Sequence, residues 1–241
     1  MLLTSDQEAV RDAVRDFCQA ELWPHAARWD REHHFPADAH RGLAELGAYG
    51  ICVPEADGGA GPDCVTLALV LEEIAAGDGG TSTAISVTNC PVNAILMRHG
   101  DAQQKKDWLW PLAQGRMLGA FCLTEPQAGS DLGQVRTQAV PHDTANEATD
   151  YRVAGTKIFT SGGEHDLTDN IVHLVLARLP GAAPGPKGLS LFLVPKVLAD
   201  GRRNAVVCVR IEEKMGLHGS PTCVMRFDDA TGWLIGTPAP G

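Results

Sequence analysis

With 241 residues, 44% of them hydrophobic and 21% charged, the chain is long enough to bury one large core or two smaller ones. Its formal net charge of −10, from 20 basic and 30 acidic residues, argues against a nucleic-acid binder, because a phosphate backbone needs a basic face. No apolar run approaches the roughly 20 residues that span a bilayer, and Met1-Leu-Leu-Thr-Ser-Asp6 lacks a basic stretch followed by an apolar one, so a cytoplasmic protein without membrane contact is expected.

Residues 1–117 read as a helical domain. Ser5-Asp-Gln-Glu8 has the spacing of a capping box, and Val10, Val14, Phe17 and Cys18 then recur on one helical face. Leu67, Val70, Leu71 and Ile74 form a second stripe, in a helix from Cys64 to Ala76 that Gly77-Asp-Gly-Gly80 ends. Asp101 is placed to cap a third helix that runs to Trp110 and stops before Pro111.

From 118 to 230 the texture changes to short apolar runs bounded by Gly, Pro, Asn and Asp, at residues 119–123, 151–160, 171–178, 189–194, 205–211 and 222–228. No helical stretch long enough for a crossover separates them, which favours antiparallel pairing over βαβ units. Pro141–Asp150 and Pro180–Lys187 read as hairpin loops, and residues 231–241 as a linker with Gly and Pro but no periodicity. The fold class is α+β: an N-terminal helical domain followed by an antiparallel β-barrel or sandwich.

The seven cysteines, at positions 18, 52, 64, 90, 122, 208 and 223, are scattered and never in a Cys-x-x-Cys arrangement, so they read as reduced, mostly buried small side chains. Glu32-His33-His34 and His165-Asp166 are sequence neighbours rather than i,i+4 pairs, and no metal site is expected. Gly58-Gly-Ala-Gly61 and Gly77–Gly80 lack the strand-then-helix setting of a dinucleotide fingerprint and read as turns.

The run Phe121-Cys-Leu-Thr-Glu-Pro-Gln-Ala-Gly-Ser-Asp131 takes a short apolar strand into a turn rich in hydroxyls and free backbone N–H groups. Gly155-Thr-Lys-Ile-Phe-Thr-Ser161 ends a strand with an aromatic beside two hydroxyls, and Glu213-Lys-Met-Gly-Leu-His-Gly-Ser-Pro-Thr-Cys223 follows. These three blocks, in this order, resemble the middle domain of the acyl-CoA dehydrogenase family. Leu46–Glu55 and Gly58–Gly61 are similar to a segment of that family's N-terminal helical domain. Asp131–Thr137 and Gly163–His173 look closer to the branch that includes the methylmercaptopropionyl-CoA dehydrogenases.

The resemblance implies FAD as cofactor, an acyl-CoA thioester as substrate, α,β-desaturation as reaction and an electron-transferring flavoprotein as acceptor. Carried over by position, Phe121, Leu123 and Thr124 line the isoalloxazine ring, Phe159 packs on it, and Ser161 reaches its hydrogen-bonding edge. Ser130 falls where the family contacts the pantetheine region of acyl-CoA. Taken singly, Phe121 and Phe159 read as core aromatics and Thr124 and Ser130 as turn formers. Glu125 and Asp131 read as supports of the turn rather than an acid and base pair. Lys157 and Lys214 read as salt-bridge or strand-end charges, which contribute little when exposed.

In the family the catalytic Glu lies in a helical C-terminal domain after the middle domain, and those helices form most of a tetramer core. No catalytic residue is therefore assigned in this chain, residues 231–241 lead toward that C-terminal domain, which a separate chain could supply, and a homo-oligomer is a further implication. Two other readings stay open: a relative that uses oxygen, as an acyl-CoA oxidase or flavin monooxygenase does, and a truncated, non-catalytic fragment or binding module.

Overall fold

A computed structural model of the chain describes residues 2–61, 63–142 and 150–239. Three helices come first: α1 (Ser5–Glu21), α2 (Trp23–Glu32) and α3 (Ala37–Glu45). The capping box of α1 sits one residue earlier than Ser5–Glu8: the Thr4 hydroxyl accepts from Gln7 N at 3.2 Å, and Gln7 Oε1 accepts from Thr4 N at 3.1 Å. Gln7 is favoured there because its Nε2 also donates to Asp63 Oδ2 at 2.9 Å. Asp63 is itself the cap of α4 (Cys64–Gly77), accepting from Val65 N and Thr66 N, so one side-chain bond joins two helix starts.

Gly77–Gly80 is a junction between two helices rather than a plain stop. Asp78 caps a new helix, α5 (Gly79–Val87), accepting from Thr81 N at 2.6 Å. A π-helical turn (Thr88–Asn93) leads into α6 (Ala94–His99). Asp101 caps α7 (Ala102–Gln104), as expected, but the helix does not stop at Trp110. It passes through a π turn (Lys105–Leu109) into α8 (Trp110–Ala113), which carries Pro111 as its second residue. Val14 and Cys18 of α1 pack with Leu43, Tyr49, Val70, Ile74 and Ile85 in the helical core, whereas Val10 is exposed. Among the described residues no helix is long and apolar enough to cross a membrane.

The second half holds seven strands: β1 (Leu118–Cys122), β2 (Gln138–Pro141), β3 (Tyr151–Ser161), β4 (Ile171–Arg178), β5 (Leu189–Pro195), β6 (Val206–Ile211) and β7 (Thr222–Ile235). The pairings β4–β2–β3–β7–β5 return to β4, closing a barrel; β1 adds to β4, and β6 lies on β7 at an edge. Most pairs are antiparallel. β1 and β4 are parallel, from Leu118↔Ile171 to Cys122↔Val175, and so is the single β2–β4 pair, within the expected, mostly antiparallel barrel. The crossover that parallel pairing requires is supplied by the β2–β3 hairpin instead of a helix.

β2 escaped the sequence reading because its four residues alternate between exposed and buried and show no apolar run. β7 runs to Ile235, so the sheet continues through residues 231–235 of the segment read as linker. Most of the Pro141–Asp150 loop lies outside the described residues, as do Gly241 and its neighbour at 240. The barrel interior is filled by Cys122, Val153, Val175, Phe192, Met225 and Phe227. A third cluster joins the two halves, with Val92, Leu96, Leu109 and Leu112 from the helices packed on Val172, Leu174, Leu193 and Ile235 from the sheet.

Candidate functional site

At the end of β1 the chain turns tightly at Glu125-Pro-Gln-Ala128, closed by Glu125 N to Ala128 O at 2.9 Å and Ala128 N to Glu125 O at 3.0 Å. The Glu125 carboxylate is buried and accepts five hydrogen bonds, from Lys157 Nζ (2.8 Å), Thr137 N (3.0 Å), Thr137 Oγ1 (2.5 Å), Arg136 N (2.8 Å) and Gln127 Nε2 (2.6 Å). Burial alone pushes this carboxyl up, but the bonds from Lys157, Thr137 and Arg136 outweigh it and bring it down to about 2. A carboxylate so engaged supports the turn and is not free to act as a base.

Lys157 is a salt-bridge charge, as read, but a buried one rather than one on the surface. It is fully buried, and its Nζ donates to Leu123 O at 3.0 Å as well as to Glu125. Burial lowers its pKa, opposed by Glu125. Gly155 completes the unit, because a Cβ there would collide with Thr137 Oγ1, the hydroxyl that donates to Glu125. Glu125, Thr137, Gly155 and Lys157 thus form one buried device that holds the 123–128 turn onto β3.

A backbone bond from Ile158 N to Thr124 O at 2.8 Å makes the same junction. Leu123 and Thr124, both half-buried, therefore lie beside Lys157 and Ile158, immediately before Phe159 and Ser161 on β3. Lys157 pairs with Met225 and Thr160 with Cys223, so three steps on β3 oppose two on β7, and the extra residue is a bulge. The bulge contains Phe159, at φ 57° and 61% exposed. A phenylalanine in the left-handed region with most of its ring in solvent is an uncommon choice, and it supplies a flat apolar surface beside two hydroxyl-bearing residues. That is the chemistry a planar ring system with a polar edge requires, so the residues fit a flavin ring.

The remaining candidates lie differently. Phe121 is half-buried and packs with the cluster joining helices and sheet, so its ring belongs in part to the core. Ser130 is exposed in the turn, next to Asp131, whose Oδ1 accepts from Gly133 N at 2.9 Å. Asp131 is a turn support, as read. Lys214 donates to the carbonyls of Leu217 (2.7 Å) and Ser220 (2.6 Å) and braces its own loop.

The fold also brings together residues that sequence spacing kept apart. His33, Glu213 and His218 place ligand-type atoms within 4.8 Å of one another, and the His33 and His218 rings stack at 4.2 Å. His218 Nδ1 donates to Asp30 Oδ1 at 3.0 Å and Nε2 to Lys214 O at 2.7 Å. Both acceptors lack hydrogens, so each bond is made only by a protonated ring nitrogen, and with both made neither nitrogen has a lone pair for a metal. Desolvation lowers the His218 pKa, but the Lys214 carbonyl and the Asp30 carboxylate outweigh it and raise the group above its ordinary value.

Comparison with known proteins matches the model of the acyl-CoA dehydrogenase N-terminal domain to residues 4–116 and that of the middle domain to residues 120–230. The 3-methylmercaptopropionyl-CoA dehydrogenase of Ruegeria pomeroyi is 44% identical over 203 residues, covering 82% of this chain and 34% of that protein. The mitochondrial isobutyryl-CoA dehydrogenase of Dictyostelium discoideum is 36% identical over 99% of this chain and 54% of its own length. Among solved structures, an acyl-CoA dehydrogenase of Bacillus anthracis complexed with FAD superposes with a TM-score of 0.85 at 28% identity, covering 98% of this chain and 38% of that one. The chain thus spans between about a third and about half of the length of these relatives. With both domain models matched in order across nearly all of its residues, the chain belongs to the acyl-CoA dehydrogenase family.

Proposed function

We propose that this chain carries the ring-facing wall of an FAD site that serves α,β-desaturation of an acyl-CoA thioester. The observation that carries the reading is Phe159, held out of the core by a β-bulge two residues before Ser161 and one residue after Ile158, whose N–H donates to Thr124 O. Bound there, a flavin supplies the hydride acceptor for the β carbon of the thioester. Phe159 and Leu123 orient the ring, Thr124 and Ser161 hold its polar edge, Phe121 backs the wall from the core, and Ser130 meets the acyl-CoA. The Glu125–Lys157 pair fixes the two segments relative to each other.

No residue of this chain is assigned the proton abstraction, since Glu125 is spent in its five hydrogen bonds. In this reading residues 1–117 are the helical domain and 118–230 the β domain, the base comes from a further helical segment, and electrons pass to an electron-transferring flavoprotein. The edge strand β6 pairs only with β7 and carries the exposed Val207, Val209 and Ile211, which supports self-association through that edge.

The test is a fluorescence titration of FAD with the chain. The reading predicts saturable quenching that disappears in the Thr124→Ala, Phe159→Ala double variant. Equal quenching by both proteins would remove the site assignment.

A further inference from the structure

The helical domain holds a pair of thiols unrelated to the flavin wall. Residues 59–61 fold back on 50–54, with Gly59 N donating to Pro54 O (3.1 Å), Ala60 N to Gly50 O (2.9 Å) and Gly61 N to Val53 O (2.9 Å). Only glycine permits this approach, because a Cβ on residue 59 would collide with the carbonyl oxygens of Val53 and Gly50. The fold-back brings the start of α4 to the turn at residues 50–53. Cys64, the first residue of α4, thereby faces Cys52 with 4.0 Å between the two sulfurs. Cys64 is exposed and Cys52 half-buried.

We propose that Cys52 and Cys64 form a redox-modification site, a dithiol that a hydroperoxide converts to a disulfide. The exposed Cys64 sulfur attacks hydrogen peroxide: an S–O bond forms, the O–O bond breaks, and hydroxide leaves and takes up the thiol proton as water. The Cys52 sulfur then attacks the Cys64 sulfenic acid: an S–S bond forms, the S–O bond breaks, and a second water leaves with the Cys52 proton. Two thiols lose two electrons and the peroxide gains them.

Sulfurs in contact must close by roughly 2 Å to reach bonding distance, which side-chain rotation at the exposed Cys64 provides. Burial and the adjacent Cys64 thiol raise Cys52 to about 11, which leaves the encounter with peroxide to the exposed Cys64. The bond closes the loop between residues 52 and 64, which includes Gly58 seated on the Trp110 ring, and pins the start of α4 to it. A second neighbouring pair, Cys208 and Cys223, offers only half-buried and buried sulfurs and serves as an internal comparison.

The experiment is peroxide treatment of the whole chain, alkylation of the remaining thiols, and mass mapping of unreduced peptides. The expected product is a Cys52–Cys64 linked peptide, lighter by about two hydrogens and reversed by dithiothreitol. In Cys52→Ser the oxidation stops at Cys64 as a sulfenic acid that dimedone traps. Cys52 and Cys64 both alkylated after peroxide, Cys64 driven to sulfinic acid beside a free Cys52, or linkage at Cys208–Cys223 without linkage at Cys52–Cys64 would each overturn the proposal.

Discussion

Lys157 is the residue that most directly couples stability to the candidate site, since its ammonium binds both the turn that carries Thr124 and the carboxylate that closes it. Replacing it with methionine leaves Glu125 buried without its cation, and Lys157→Met is expected to cost about 3–5 kcal/mol in urea denaturation. Phe159→Ala is expected to do the opposite. Because the ring is 61% exposed, stability should change by no more than about 0.5 kcal/mol while flavin binding falls. The Glu125 pKa is depressed in the folded chain, so its contribution is present above the ordinary value of 4.5 and is lost as pH falls toward about 2. Urea midpoints measured across that window should drop more steeply for the native chain than for Glu125→Gln. The family blocks that contain the candidates Thr124, Phe159 and Ser161 were legible because each is short and contiguous. The burial of Lys157 was not, because its partner is 32 residues away and lysines are rarely buried without one.

At the scale of elements, local signals placed what local chemistry controls. Thr4 and Asp101 cap their helices through bonds to residues three positions on, and such spacing is written in the sequence even where the box is displaced by one. Thr4→Ala is expected to remove about 1 kcal/mol, measured by thermal or urea unfolding. Strand direction is a different matter. The runs forming β1 and β4 were visible, but their parallel pairing depends on the β2–β3 hairpin lying between them, and β2 has no apolar run to announce it. Gly155 shows how an element joins a site, since it lets Thr137 pack on β3 and reach Glu125. Adding a methyl there overpacks a filled interior, and Gly155→Ala is expected to cost about 1–3 kcal/mol.

At the scale of the whole molecule, the helical and β halves are joined by an apolar cluster and by a charged clasp. The apolar part follows from the stripes on the helices and the inward residues of the strands. The clasp brings His218 to Asp30 across 188 residues, a contact that no local pattern encodes. His33, Glu213 and Lys214 also face this histidine. Its folded pKa is raised above 6.5, so the stability it lends the seam is fully present below that value and is lost as pH rises through the folded pKa. Histidine NMR titration should place His218 above 6.5, and Asp30→Asn should bring it back toward that value.

The central claim is that residues 123–124 and 159–161 form one wall for a flavin ring. Its most direct test is the visible absorption spectrum of the chain after mixing with FAD and gel filtration. The account predicts flavin bands that travel with the native chain and are lost from Phe159→Ala, whose fold is intact. Absence of flavin from the native chain, or equal bands in both proteins, would contradict it.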